Sequence, residues 1–357
     1  MTHDTAFLEH LLEAPGPSGF EARAARVWRD EATTFADDVR VDVNGNSFAA
    51  LNPEGTPRVM MAGHVDEIGL QITHIDDEGY LHVAEIGGWD PQVLVGQRVR
   101  ILTREGDVVG LIGRKAIHLI EPDERSKATR TRDLWVDVGA ANGDEARKLG
   151  IRVGDAMVLD QPFVRLAGDR VASRAIDNRI GAFVVLEALR LLKADAAPLV
   201  AGAFAVATTQ EEIGYQGGGA RASAFALEPQ VALVVDVTFA TDVPDVPKKE
   251  LGDHRIGGGP VLSRGSAAHA MVFEHLVEVA EKEGIPYSIQ AQPRATHTDA
   301  DGIHLTRGGV PTGLVSVPNR YMHSPNELVS LSDLHNTARL LAAFVRSLGP
   351  NTDFTPR

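Results

Sequence analysis

Four runs in this chain, PRVMMAG from Pro57, AGAFAVATT from Ala201, VALVVDV from Val231 and TGLVSVP from Thr312, are predominantly apolar without strict alternation. A strand with one wet face alternates polar and apolar residues, whereas a strand covered on both faces does not. Runs this short and rich in Val and Ala therefore fit strands held between two layers. Stretches of helical length and period lie around them: GFEARAARVWRDEATTFA from Gly19, DNRIGAFVVLEALRLLKAD from Asp177, AAHAMVFEHLVEVAEKEG from Ala267 and SLSDLHNTARLLAAFVRSLG from Ser330. The last has Ser330 or Ser332 as N-cap and Gly349 beyond its end. This alternation predicts an α/β fold, with helices on both faces of a mostly parallel, mixed sheet.

Between Gly69 and Arg165 the texture differs. LQITHIDDEGYLHVAEIGG, VLVGQRVRILTREGDVVGLIGRK and DLWVDVGA alternate between Gly and Asp turns, and helical period is confined to GDEARKLG. The expectation is a β-rich module at 69–165 inserted into one α/β domain made of 1–68 and 166–357. A chain of 357 residues, 43% hydrophobic, can bury a large core. No run is apolar over the ~18 positions that span a bilayer, and the opening residues lack the pattern of a secretion signal, so a cytoplasmic protein is expected. A net charge of −14 without a basic stripe opposes nucleic acid.

The chemistry emerges where these strands end. PRVMMAG leads into His64 and Asp66, AGAFAVATTQ into Glu211 and Glu212, VALVV into Asp236, and TGLVSVPNRYM into His323, while Asp177 begins a helix. The C-terminal ends of parallel strands share one edge, and that edge binds ligands. The chain has no cysteine, so a metal would be held by His, Asp and Glu. Each residue alone has a plainer explanation: Asp177 as an N-cap, His64 or His323 as a satisfied loop histidine, Asp236 as a turn residue, and Glu211 and Glu212 as solvated charges. Their coincidence at four buried strands argues instead for a dinuclear hydrolytic site with a bridging carboxylate, suited to zinc or cobalt. On extended backbone, neighbouring side chains point apart, so Glu211 and Glu212 would divide two tasks.

The ordered set GHVDEIG, SRAIDNRIG, TTQEEIGYQGG, VVDV and GVPTGLVSVPNRYMHSPNE resembles the M42 metallo-aminopeptidases, also described as glutamyl or tetrahedral aminopeptidases, over nearly the whole chain. The resemblance implies a peptidase-type α/β/α sandwich with an inserted β-rich dimerisation domain. It implies one divalent ion held by His64, Asp177 and Asp236 and a second by Asp177, Glu212 and His323, with zinc first and cobalt as the alternative. Glu211 would be the general base acting on a metal-bridged water, Asp66 would orient His64, and the Asp177-Asn178 peptide would be cis. Short peptides would be the substrates, with dimers assembling into a tetrahedral homododecamer. A related carboxypeptidase or deacylase is the nearest alternative. A glucan hydrolase is a more distant one, because adjacent glutamates cannot flank a glycosidic bond.

His297 departs from the small residue this family places before Thr298-Asp299, which bears on the shape of the specificity pocket. Arg255 and Arg264 are candidates for favouring an acidic first residue, against the plainer reading of surface arginines.

Overall fold

The computed structural model describes residues 5–123, 125–214 and 218–356; the Tyr215, Gln216 and Gly217 of the glutamate motif lie outside them. An eight-stranded sheet runs in the spatial order Asp38–Val41, Ser47–Leu51, Gly202–Thr208, Arg58–His64, Val231–Phe239, Thr312–Asn319, Val261–Arg264, Ser288–Ala291. The four central strands are mutually parallel, and antiparallel pairings join them to their flanks. These four contain the four apolar runs, and the lack of alternation has the expected cause. In the Arg58–His64 strand, Val59 and Met61 enter one core while Met60 and Ala62 enter the other; Ala203, Ala205 and Ala207 likewise oppose Phe204 and Val206.

The larger core lies under the helices Ala6–Glu13, Ala22–Ala32, Ile176–Ala194, Ala270–Glu283 and Leu331–Ser347. The smaller lies under Gly218–Leu227 and Asp299–Ile303. Ser330 is the N-cap position of the last long helix. The Asp236 strand runs on to Phe239, further than the sequence suggested, because it pairs with Thr312–Asn319 as far as Phe239↔Asn319.

A closed antiparallel barrel is built from Gly69–Ile75, Leu81–Ile86, Trp135–Asp137, Gly106–Gly113, Arg98–Thr103 and Ala156–Leu159. It has its own core, with Leu70, Ile72, Leu81, Val99, Ile101, Val136 and Met157 buried inside. Beyond it, Val164–Arg165, Arg170–Ser173 and Glu327–Ser330 form a small antiparallel sheet that brings the chain back beside the start of the Ile176–Ala194 helix.

One glycine decides how closely that helix approaches the sheet. A Cβ on Gly63 would lie 2.4 Å from the backbone carbon of Gly181 and 2.6 Å from the nitrogen of Ala182. Backbone therefore packs on backbone immediately before His64. Gly63→Ala is expected to destabilise the fold by ~1–3 kcal/mol through overpacking. Urea unfolding at fixed protein concentration checks this, and an unchanged midpoint would contradict it.

Candidate metal centre

His64 closes its strand, and its ring is 1% exposed. Nε2 stands 3.4 Å from Asp177 Oδ1 and 3.7 Å from Glu211 Oε2. Nδ1 faces the backbone oxygen of Asp66 at 3.2 Å and its Oδ1 at 3.4 Å. A ring whose Nδ1 donates to an acceptor keeps a lone pair on Nε2, the form that ligates metals. His323 is arranged alike from a different part of the chain. Its Nδ1 donates to the carbonyl of Gly88 (2.7 Å), and its Nε2 lies 3.4 Å from both Asp177 Oδ2 and Glu212 Oε2.

Asp177 stands between the two rings, one oxygen toward each. The backbone here is irregular: Ala175 has φ +57°, Asp177 and Asn178 depart from helical angles, and the Asp177-Asn178 peptide is cis. Asn178 Nδ2 donates to the Val235 carbonyl (2.8 Å), tying this entry to the Asp236 strand.

Glu211 and Glu212 lie in a turn, not on extended backbone. Gln210, with φ +60°, ends the extended run, and the backbone N–H groups of Glu211 and Glu212 donate to Asp66 Oδ1 and Oδ2, each at 3.2 Å. The side chains nevertheless diverge, Glu211 toward His64 and Glu212 toward His323. Asp66 also accepts from Ser18 Oγ (2.6 Å). Burial works to raise the Asp66 pKa, but His64, Ser18 and the Glu212 N–H hold it below the usual carboxylate range.

Burial works to raise Asp177 too, but the pull of His323 and His64 outweighs it and holds the carboxyl low, at about 2. Asp236, Glu211 and Glu212 go the other way. Burial lifts Asp236 well above its ordinary value despite the pull of His64, and Asp177 adds to the rise. Burial lifts Glu211 likewise, with repulsion from Asp236, Asp299 and Glu212 opposing the pull of His64. Glu212 is pushed to about 7 by burial and by Asp177. Anionic groups crowded in a buried site repel one another, and a cation relieves that repulsion.

His64, Asp177 and Glu212 each bring one ligand atom within 4.8 Å of the others, a cluster that can hold a metal ion. Among the described residues, the buried Glu212 Oε1 has no hydrogen-bond partner, as an oxygen reserved for a cation would be. The donors are nitrogen and oxygen only, a set that suits zinc and other first-row divalent ions. Asp236 lines the same cavity as Asp177, Glu211, Glu212 and His323, and His64 and Asp66 adjoin Asp177, so the seven ionisable residues singled out at the strand ends and the helix start meet at one place.

That cavity measures about 980 Å³. His297 belongs to its wall, in left-handed backbone (φ +54°), with its N–H bound to Asp301 (2.9 Å). Arg255 and Arg264 do not line it; Arg255 pairs with Asp253 (3.2 Å) and Arg264 with Glu274 (3.1 Å). The wall arginines are Arg221 and Arg294, with Glu250 as an opposite charge.

Sequence reading passed over three contributors. Asp299 is 1% exposed, accepts from Thr208 Oγ1 (2.5 Å), and is raised to about 6, chiefly by burial. Gly88 comes from the loop after a barrel strand and contributes through its backbone carbonyl, which leaves no side-chain signal. Glu327 follows His323 by four residues, and that spacing was the available signal.

A family model for M42 glutamyl aminopeptidase matches residues 45–340. The chain belongs to this family. It is thus a peptide hydrolase of the aminopeptidase class. The lysyl aminopeptidase of Pyrococcus furiosus is 37% identical over 355 residues, covering 99% of each chain. The TET aminopeptidase of the Thaumarchaeota archaeon SCGC AB-539-E09 superposes with a TM-score of 0.91 at 37% identity, covering 96% of each chain. The TET1 peptidase of Pyrococcus horikoshii superposes with a TM-score of 0.85 at 32% identity, over 96% of this chain and 99% of that one; it can assemble into a tetrahedron or a large octahedral shell. The α/β sandwich with a separate barrel is accordingly the fold of the M42 relatives. Among the described residues of this M42 chain, no helix is long and apolar enough to cross a membrane.

Proposed function

We propose that this M42 chain is a dinuclear metallo-aminopeptidase that removes N-terminal residues from short peptides, with zinc as its first metal and cobalt as the alternative. The observation that carries this reading is Asp177, whose two oxygens each lie 3.4 Å from the Nε2 of a different histidine, the arrangement of a bridging carboxylate. His64, Asp177 and Asp236 would hold one ion, and Asp177, Glu212 and His323 the other. Bound divalent ions supply Lewis acidity toward the scissile carbonyl and a water acidic enough to lose its proton near pH 7.

The protein groups do the rest. Glu211, beside His64 but outside both proposed ligand sets, takes the proton of the attacking water and returns it to the leaving amine nitrogen. Burial raises its carboxyl pKa, which favours its accepting a proton. Asp66 holds the His64 ring and both glutamate N–H groups, so one carboxylate sets the positions of ligand and base together.

The 69–165 module is proposed as the dimerisation unit, in a tetrahedral homododecamer located in the cytoplasm. The assembly of the Pyrococcus horikoshii peptidase supports the closed shell. Because ligand segments reach between the barrel loop and the α/β domain, metal and assembly are expected to be linked.

The test is metal removal, with aminoacyl chromogenic substrates, N-acetylated counterparts and a glucan assayed beside light scattering. Activity is expected only on free α-amino substrates, is lost with chelator, returns with zinc or cobalt, and accompanies a large particle. Chelator-insensitive activity, or cleavage of the acetylated or glucan substrates instead, would replace this reading.

A further inference from the structure

Glu327 opens the strand Glu327–Ser330 and is 2% exposed. Burying a carboxylate is expensive unless its oxygens are well used. Here each oxygen accepts from the backbone of a different metal-site residue: Oε2 from the Asp177 N–H and Oε1 from the His323 N–H, both at 2.8 Å.

Those two N–H groups come from places the local sequence does not hold by itself. Asp177 follows Ala175 in left-handed backbone and precedes the non-helical Asn178, so it lacks the regular first turn of a helix. His323 itself has φ +57° and Tyr321 has φ +64°, conformations that cost a bulky residue free energy unless the surroundings impose them. Glu327 stands four residues after His323, in the strand that pairs with Arg170–Ser173 just before Asp177. A single carboxyl group thus spans the loop that presents His323 and the helix entry that presents Asp177. The 3.4 Å approach of His323 Nε2 to Asp177 Oδ2 depends on both.

We propose that Glu327 is a positioning residue that fixes the His323–Asp177 spacing and thereby sets the affinity of the ion site formed by Asp177, Glu212 and His323. The inference rests on the dinuclear reading above. Glu327 holds two ligands of that site, Asp177 and His323, but only the shared Asp177 of the other, so its loss should weaken that site more than the other.

Glu327→Gln keeps the shape but presents an NH₂ where one N–H needs an acceptor. Glu327→Asp keeps the charge but is one methylene too short to reach both donors. Ser330→Ala, in the same strand, removes a hydrogen bond to Asp169 (2.6 Å) without touching either ligand. Each metal-stripped protein is titrated with zinc and with cobalt, bound metal is counted, and its melting temperature is recorded.

Wild type and Ser330→Ala are expected to take up two ions tightly. Glu327→Gln is expected to bind the ion of the Asp177, Glu212 and His323 site about 10–100-fold more weakly and the other ion with a clearly smaller loss, with activity restored by excess metal. Its metal-free melting temperature should lie within a few degrees of the wild type. Equal loss at both sites, unchanged affinity at both, or loss of fold in both Glu327 variants would overturn the positioning role. Failure of the wild type to bind any ion would instead overturn the dinuclear reading on which it rests.

Discussion

Purified Glu211→Gln is expected to carry the same metal content as the wild type and to turn over peptide about 10²–10⁴-fold more slowly. The substitution is nearly isosteric and leaves His64, Asp177, Glu212, Asp236 and His323 untouched, so no proposed ligand is lost. What disappears is a carboxylate that can take a proton, 3.7 Å from His64 Nε2 and held in place through its own backbone N–H by Asp66. The loss should fall on kcat, with KM within a few-fold, because proton transfer is made in the transition state. Glu212→Gln should behave in the opposite way, losing occupancy at the site it shares with His323 and recovering in part with added metal. Metal analysis and steady-state rates on the two proteins decide the matter. If Glu211→Gln sheds metal while Glu212→Gln keeps it, the two roles are exchanged; full activity in both removes the mechanism.

The divergence of these adjacent glutamate side chains was legible in the sequence, although the backbone reason was different. Opposite directions were expected from extended chain. The structure places the pair on a turn after Gln210, and Asp66 aims them by binding both N–H groups. The apolar runs ending in ionisable residues were legible because burial on two faces abolishes alternation, and strand ends are where a parallel sheet exposes function. Contacts made through backbone atoms were not legible. The Gly88 carbonyl that orients His323 carries no side-chain signature, and it arrives from the barrel, so that module contributes to the site geometry as well as having its own core. Asp299 and Glu327 were passed over for a related reason. Their carboxyl groups act by accepting from Thr208 Oγ1 and from main-chain N–H groups, and only the folded chain brings those donors to them. Arg255 and Arg264 show the converse limit, since charge near a glycine-rich loop does not say which way the loop turns.

Glu67→Gln is expected to cost about 3–5 kcal/mol of stability, because it leaves buried guanidinium charge without its counter-ion. Glu67 is 3% exposed, and its carboxylate binds Arg174 Nη1, Arg179 Nη2 (2.7 Å) and the Gly16 N–H (3.0 Å). Arg179 is fully buried, donates to the carbonyls of Leu11 (3.1 Å), Leu12 (3.2 Å), Ala14 and Val65 (3.0 Å), and so fastens the end of the first helix to the His64 segment. Burial pushes its pKa down to about 10 against the pull of Glu67, which still leaves it charged at neutral pH. For Glu67, burial alone would raise the pKa, but Arg174 and Arg179 hold it below its ordinary 4.5. A carboxylate with a depressed folded-state pKa contributes stability that is fully present above the unfolded value and is lost as pH falls through the folded one. The stability difference between wild type and Glu67→Gln should therefore be constant from pH 7 down to about 5 and shrink below about 4.5. Urea unfolding at matched metal and protein concentration measures it. A difference below about 1 kcal/mol at pH 7, the size of an exposed ion pair, would mean that Glu67 contributes no more than a surface charge and that the arginines are held by the carbonyls alone.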